Sequence, residues 1–428
     1  MSSNVAYSLD AEPKQGRDLP EEPRARPIPR VNIQAFCEDQ NTAVVIQKAS
    51  EDRRLSKAYI TVQMGGVEAA IAYYRNASTP NLIVIESLLG RAEMLDDLER
   101  LADVCDSGTK VIAIGHLNDV LLYRELIRRG VSEYVVAPMT VAQMIESIGS
   151  IYSDPATGPV GQTIAFVGTK GGAGSSTICH NTAFAIANVV ESDVVIADMD
   201  LPFGTAGLDF NQDPLQGIGD ALAAPERLDE VLLDRLLSRC SERLSLFAAP
   251  TALDRPYDVD TNACETVLDI VRQSVPWVAI DVPHLWTGWV KEVVLKADHV
   301  VMTAMPDLAS LRNTKNLADQ LKAARPNDRP PMLVLNQVGV PKRPEIPVKD
   351  FGQAIELEPR VVIEFDAQLF GTASNNGQMI EEVSAKSKAA DAFRGLASLL
   401  TDRIEHKSEA TSLLSPLIER LKLMKARG

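Results

Sequence analysis

No stretch of this chain approaches the ~18 continuous apolar residues that a membrane-spanning helix needs, and its first residues, MSSNVAYSLDAEPKQ, lack the charged segment and apolar core of a secretory signal. The expected location is therefore cytoplasmic. Cysteine is sparse. Cys37, Cys105, Cys179, Cys240 and Cys264 are scattered, odd in number and never in a C-x-x-C pair, which excludes a disulfide framework and a zinc or iron–sulfur site. Each reads as a small buried hydrophobe. Positive charge is also short: 43 Lys and Arg against 58 Asp and Glu give a net charge of −15, so bulk electrostatic binding to nucleic acid is not expected. What remains, 45% apolar and 24% charged over 428 residues, is the composition of a soluble globular protein with room for two or three domains.

Residues 1–30 are polar, with prolines at 13, 20, 23, 27 and 29, and read as a disordered leader. From Val31 to Tyr152, strand-like runs at 31–37, 58–64, 81–87, 110–116 and 132–138 alternate with helix-length stretches such as Gly66–Arg75 and Asp119–Arg129. That alternation predicts a parallel sheet with helices on both faces. Ser153–Gly161 is a turn-rich linker. A second alternation follows, with strands at 163–168, 194–198, 244–250, 277–281, 299–305, 332–338 and 361–366, and a helix is expected over Glu381–Thr401. The fold class is thus α/β, with two doubly wound parallel-sheet domains at 31–152 and 162–404. A tail at 405–428 ends in a basic amphipathic helix over Ser412–Gly428. In that tail Leu417, Leu421 and Met424 share one face, and Arg420, Lys422, Lys425 and Arg427 supply charge. Such a helix reads either as a binder of a membrane surface or as a segment packed on the domain or a partner.

The segment Gly168–Thr177, GTKGGAGSST, lies between the strand TIAFVG and a helical pattern beginning at Ser176. Gly171, Gly172 and Gly174 permit the turn, the backbone N–H groups around Ala173 point inward, and the helix N-terminus adds partial positive charge. This is the context of a phosphate-binding loop and predicts a nucleoside triphosphate, most plainly ATP with Mg2+. Ser176, with Thr177 beside it, offers a hydroxyl to the metal. The usual motif ends in G-K-[ST]; here Ser175 stands where that lysine would be, and Lys170 precedes the glycine pair instead.

In these residues the chain resembles the ParA/MinD family, whose deviant loop reads K-G-G-x-G-K-[ST]. The resemblance implies that Lys170 reaches across a homodimer to the partner's nucleotide. It departs from the family at Ser175, which bears on hydrolysis rate more than on binding. The run ADMDLPFGTAGLDF resembles the family's D-x-D switch, implying that Asp200 orients the attacking water and Asp198 supports the metal shell. WVAIDVP resembles its D-x-P switch, with Asp281 reaching metal-bound water; His284 just beyond reads as a loop histidine. MLVLNQVG places Asn336 where the family recognises adenine, and IEFDAQL places Phe365 and Asp366 on the adenine side. A strand-end Asn is also a common turn residue.

Residues 31–152 resemble the response-regulator receiver domain. Glu38 and Asp39 match its acidic pair, but the phospho-acceptor position falls on Glu86, the hydroxyl position on Gly115, and the lysine position on Ala137 before Pro138. A glutamate cannot form the usual aspartyl phosphate, so the domain reads as a pseudo-receiver serving as a docking surface. A pseudo-receiver joined to KGGAGSST, DMDLPFGTAGLDFNQDP and NNGQMIEE (375–382) resembles the CpaE/TadZ family of pilus-assembly ATPases. The resemblance covers residues 31–403 or so. It implies a slow, dimeric, pole-localised ATPase that positions the Tad/Flp (type IVc) pilus machinery and its motor. A nucleotide-bound scaffold with negligible turnover and, less favoured by the charge, a DNA-segregation ATPase are the alternatives.

Overall fold

The computed structural model describes residues 28–152, 160–251, 253 and 257–402. Residues 1–27 of the expected leader, most of the linker and the C-terminal helix lie outside the described residues; Ile28, which the sequence put in the leader, is instead buried in the first unit's core because its apolar side chain packs there and its N–H donates to the Arg54 carbonyl at 3.1 Å. These divide into two compact units. One runs to Gln162 and takes in Trp286–Val300 and Arg312–Met332; the other holds Thr163–Leu285, Val301–Leu311 and the chain from Leu333 onward. Two segments that follow the phosphate loop in sequence thus group with the first unit.

The first unit is built on β1 (Asn32–Cys37), β2 (Tyr59–Met64), β3 (Leu82–Glu86), β4 (Lys110–Gly115) and β5 (Glu133–Val136). They form a parallel sheet in the order β2-β1-β3-β4-β5, the doubly wound arrangement in which ligand sites gather at strand C-terminal ends. All five residues of β3 are buried, as suits a central strand covered on both faces. Asp39, Asp119 and Thr140 N-cap the helices Gln40–Ser50, Val120–Arg128 and Val141–Ile151 with their side-chain oxygens, satisfying donors that would otherwise be left open. A buried ionic cluster ties in the later segments. Asp328 accepts from Arg53 at 2.8 Å and Arg325 at 2.6 Å and forms an ion pair with Arg54 at 2.7 Å, while Arg53 also donates to the Lys296 carbonyl at 2.8 Å.

The second unit is built on a sheet that among the described residues has eight strands: β6 (Gln162–Gly168), β7 (Val194–Asp198), β8 (Ser238–Arg239), β9 (Leu244–Phe247), β10 (Trp277–Val282), β11 (His299–Ala304), β12 (Met332–Val338) and β13 (Pro359–Glu364). Their order is β13-β12-β11-β6-β10-β7-β9-β8. β8 is a two-residue antiparallel edge, too short for its sequence to mark it. The helix expected over Glu381–Thr401 is two helices, Ile380–Ser384 and Lys388–Leu400. Ser387 breaks the run by capping the second, its Oγ accepting from Ala390 N at 3.2 Å. Cys37, Cys179 and Cys264 are buried as expected; Cys105 and Cys240 are only partly so, and all five are free thiols. Among the described residues no helix is long and apolar enough to cross a membrane.

Candidate nucleotide-binding site

β6 delivers its chain end into the turn 168–174, and the helix Ser175–Asn188 starts at once. Gly172 and Gly174 take φ values of +76° and +88°, where L side chains are strained. At Gly174 space forbids a side chain as well, since a Cβ there would collide with Nδ2 of Asn336. The turn is braced from outside. Asn336 Nδ2 donates to the Ala173 carbonyl at 2.8 Å, Gln337 Nε2 to the Gly172 carbonyl at 3.1 Å, and His284 Nδ1 lies 2.8 Å from the Gly168 carbonyl. Within the turn itself, Ala173 N donates to the Lys170 carbonyl at 3.1 Å. Asn336 is 6% exposed, and its amide donor serves the loop. His284, read from sequence as a loop histidine, is a brace of the phosphate turn.

Lys170 forms an ion pair with Asp307 of its own chain at 3.0 Å. Asp307 also accepts from Ser310 N at 2.8 Å, and its carboxyl is lowered: burial opposes this, but the Ser310 amide and Lys170 outweigh it. Ser175 Oγ is buried with no hydrogen-bond partner. An orphaned hydroxyl in a glycine turn is a donor awaiting a ligand oxygen.

Asp198 and Asp281 are register partners on β7 and β10, and both are buried. Asp198 accepts from Asp200 N and Ala206 N, each at 3.2 Å. Burial, then the charge of Asp281, raise its pKa above the usual carboxylate range. Asp200 is raised too, chiefly by burial. Two adjacent buried carboxylates are a strained anionic pair that a divalent cation relieves. Glycine cradle, orphaned Ser175 hydroxyl, the neighbouring Ser176 and this acid pair therefore fit a nucleotide with Mg2+; Asp198, Asp281 and Ser176 would hold the metal, which would neutralise developing phosphate charge. Among the described residues no group of three or more His, Cys, Asp or Glu side chains is placed to hold a metal ion.

Phe365 presents a 40%-exposed ring. Asp366 caps the helix Ala367–Asn376, accepting from Leu369 N at 2.9 Å. The NNGQMIEE segment docks on the loop helix: Asn181 accepts from Ile380 N at 2.8 Å and donates to the Thr177 carbonyl at 2.9 Å.

Sequence reasoning missed His180 on that helix. It is fully buried, with Nδ1 2.8 Å from Asp209 Oδ2 and Nε2 3.4 Å from Asp281 Oδ2. Burial disfavours its charge, but Asp209 and Asp281 outweigh that and lift the imidazole to about 10. The signal, a His on an otherwise apolar helix, could not reveal partners 29 and about a hundred residues away.

In the first unit, Glu86 is fully buried. Its Oε2 accepts from Glu38 N and Asp39 N, both at 2.8 Å; its Oε1 accepts from Thr42 Oγ1 at 2.6 Å and lies 3.2 Å from His116 Nε2. Glu38 turns away to accept from Leu88 N at 2.9 Å. At Gly115 any Cβ would strike the ring and hydroxyl of Tyr134, which donates to the Leu117 carbonyl at 2.8 Å. The place of a receiver's hydroxyl side chain is thus filled by a tyrosine.

No family model matches the chain. The pilus assembly protein CpaE of Caulobacter crescentus is 50% identical over the N-terminal part, covering 30% of this chain and 98% of that one, with a TM-score of 0.30. The chain belongs to the CpaE pilus-assembly family. The second unit of this CpaE-family chain has the ParA-type fold: a ParA family ATPase from Chlorobium tepidum, 23% identical, covers 56% of this chain and 98% of its own with a TM-score of 0.51. A ParA family protein of Chlamydia muridarum is 25% identical over 166 residues, 37% of this chain, and the chain spans 64% of that relative's length.

Proposed function

We propose that this chain is a Mg2+-dependent, ATP-binding P-loop ATPase of slow turnover that dimerises around ATP and helps assemble a Tad/Flp pilus at the cell pole. Membership of the CpaE family supports the pilus role. The observation that carries the nucleotide reading is the braced glycine turn 168–174, with Ser175 Oγ orphaned at its floor. In this reading Gly171, Gly172, Ala173, Gly174, Ser175, Ser176 and Thr177 take the phosphates, and Asp200 positions the attacking water. Phe365 and Asp366 border the base, with Asn336 shaping the loop beside it. Lys170 completes the site of a second copy, for which it must leave Asp307. Residues 31–152 act as a pseudo-receiver that serves as a docking surface, the ATP-bound dimer recruits the pilus motor, and the anionic chain does not engage nucleic acid.

Sedimentation of the full chain with and without ATP tests this. Dimer should form only with Mg-ATP, and Lys170→Ala should remain monomeric; a variant that still dimerises with ATP refutes the trans role. A second reading, ATP as a structural ligand with negligible turnover, is favoured by Ser175 in the lysine position. Steady-state phosphate release no faster than that of Asp200→Ala would establish it.

A further inference from the structure

One end of the first unit is more apolar than a free surface should be. Five large side chains gather where the loops after β3 and β4 meet: Leu88 and Leu89 on the first, Leu117 on the second, and Val120 and Leu121 in the first turn of the helix Val120–Arg128. The two loops are neighbours, since Arg91 and Asp119 pair across them at 3.7 Å. The five side chains are 40% to 63% exposed. Together they show on the order of 400 Å² of apolar surface, a size at which a patch on a soluble protein marks a binding site.

Hydrogen bonds fix these residues in place. Glu38 accepts from Leu88 N at 2.9 Å, Ser87 Oγ from Leu89 N at 3.3 Å, and Asp119 from Leu121 N at 2.7 Å, while Tyr134 donates to the Leu117 carbonyl at 2.8 Å. Loops pinned this way present their side chains without the ordering cost that a mobile loop incurs on binding. The pinning groups also charge the rim. Glu38, Asp39 beside it, Glu93 (accepting from Gly90 N at 3.3 Å) and Asp119 border the leucines, against Arg91 and, a turn along the helix, Arg124.

An apolar face with an acidic rim fits a segment that combines leucines with basic residues, and this chain carries one. In residues 412–428, SLLSPLIERLKLMKARG, Leu414, Leu417, Leu421 and Met424 recur at intervals of three and four. Arg420, Lys422, Lys425 and Arg427 stand there against Glu419, in a chain whose net charge is −15. We propose that this segment, from the same copy or a second, docks by its leucines on the patch of Leu88, Leu89, Leu117, Val120 and Leu121, with its basic residues toward Glu38, Asp39, Glu93 and Asp119. The inference rests on the reading of residues 31–152 as a docking surface. It names the face and makes residues 412–428 a competitor for any partner that uses it.

The test takes the full chain with its own segment disabled by Leu417→Asp/Leu421→Asp, and titrates it with a fluorescent peptide of residues 412–428. The peptide should bind with a Kd on the order of 10 μM, the strength of a small interface. Adding Leu121→Lys or Leu89→Lys to the receptor should weaken binding more than about tenfold, because each removes apolar area and adds a like charge. Both positions are exposed, so neither change bears on folding, and either one decides. Raising salt from about 0.05 to about 0.5 M should weaken the complex severalfold. In the unaltered full chain, carbodiimide coupling read by mass spectrometry should join Lys422 or Lys425 to Glu38, Asp39, Glu93 or Asp119, and Leu121→Lys should abolish those links. A peptide that does not bind, one that binds both lysine variants as well as the receptor without them, or links confined to other carboxylates would overturn the proposal. Vesicles of anionic phospholipid that sediment the full chain but not Leu417→Asp/Leu421→Asp, with those links missing, would assign the segment to a lipid surface instead. Pilus number in cells carrying Leu121→Lys separates the two readings. Failed peptide binding with pili lost sinks this inference alone; failed binding with pili unchanged sinks the docking-surface reading with it.

Discussion

Glu86 offers the sharpest test of how the first unit is built. Its carboxylate accepts two backbone amides, a threonine hydroxyl and an imidazole contact, all from a fully buried position. Glu86→Ala strands the Glu38 and Asp39 N–H groups and the Thr42 hydroxyl. At about 1–3 kcal/mol for each of these three groups left without a partner, the loss is about 3–9 kcal/mol. A unit of this size moves its melting midpoint by about 2–4 °C per kcal/mol, so a fall of about 10–30 °C is expected. Glu86→Gln should cost only about 1 kcal/mol, since its oxygen can serve the amides while Thr42 and His116 turn to accept from its nitrogen. Glu86→Asp retains the charge but is one methylene short of the amides, so it should fall between the two. Calorimetry of the full chain, with hydrogen exchange at Glu38 and Asp39 read by mass spectrometry, orders the three variants. Glu86→Asp should also fail to bind beryllofluoride, because the hydroxyl and lysine positions are Gly115 and Ala137. An aspartate variant as stable as wild type that takes up beryllofluoride would refute the account of Glu86 as a structural anchor.

Two further outcomes follow from residues already placed. Gly174→Ala puts a Cβ at φ +88° and against Asn336; fluorescent-nucleotide titration should show affinity reduced more than about tenfold, since the strain of about 1–2 kcal/mol adds to a displaced brace. Asp328 is held down to about 2: burial opposes this, but Arg53, Arg325 and Arg54 prevail. Because its folded pKa lies below the ordinary carboxylate value, its contribution of about 2 kcal/mol is present above pH ~4 and disappears as pH falls toward ~2. Acid titration of the first unit's melting should show that loss, and Asp328→Asn should abolish it at the expense of lower stability at neutral pH.

Both sheets were legible because buried parallel strands are written as near-continuous apolar runs, as in LIVIE and VVIAD. The phosphate loop was legible because its chemistry is contiguous: one turn needs its glycines next to one another. What the sequence hid are partnerships closed only by folding. Asp307 on Lys170, Asn336 on Ala173, and Asp209 and Asp281 on His180 bring together residues 29 to 163 positions apart. The split at Ser387 was hidden for a different reason: Ile380–Leu400 keeps helical periodicity on both sides of a cap that only local geometry exposes. The strand β8 pairs by two residues, less than any pattern can signal.

The anchoring of Glu86 has a consequence for any attempt to make this unit phosphorylatable. The changes it would need hold one another in place. An aspartate at residue 86 unfastens the amides of Glu38 and Asp39. A hydroxyl side chain at residue 115 drives into Tyr134, and truncating Tyr134 first opens a hole in the core. Every single step costs stability before any phosphate could be held. The carboxylate of Glu86 is mortar, and it cannot be drawn out without loosening the wall.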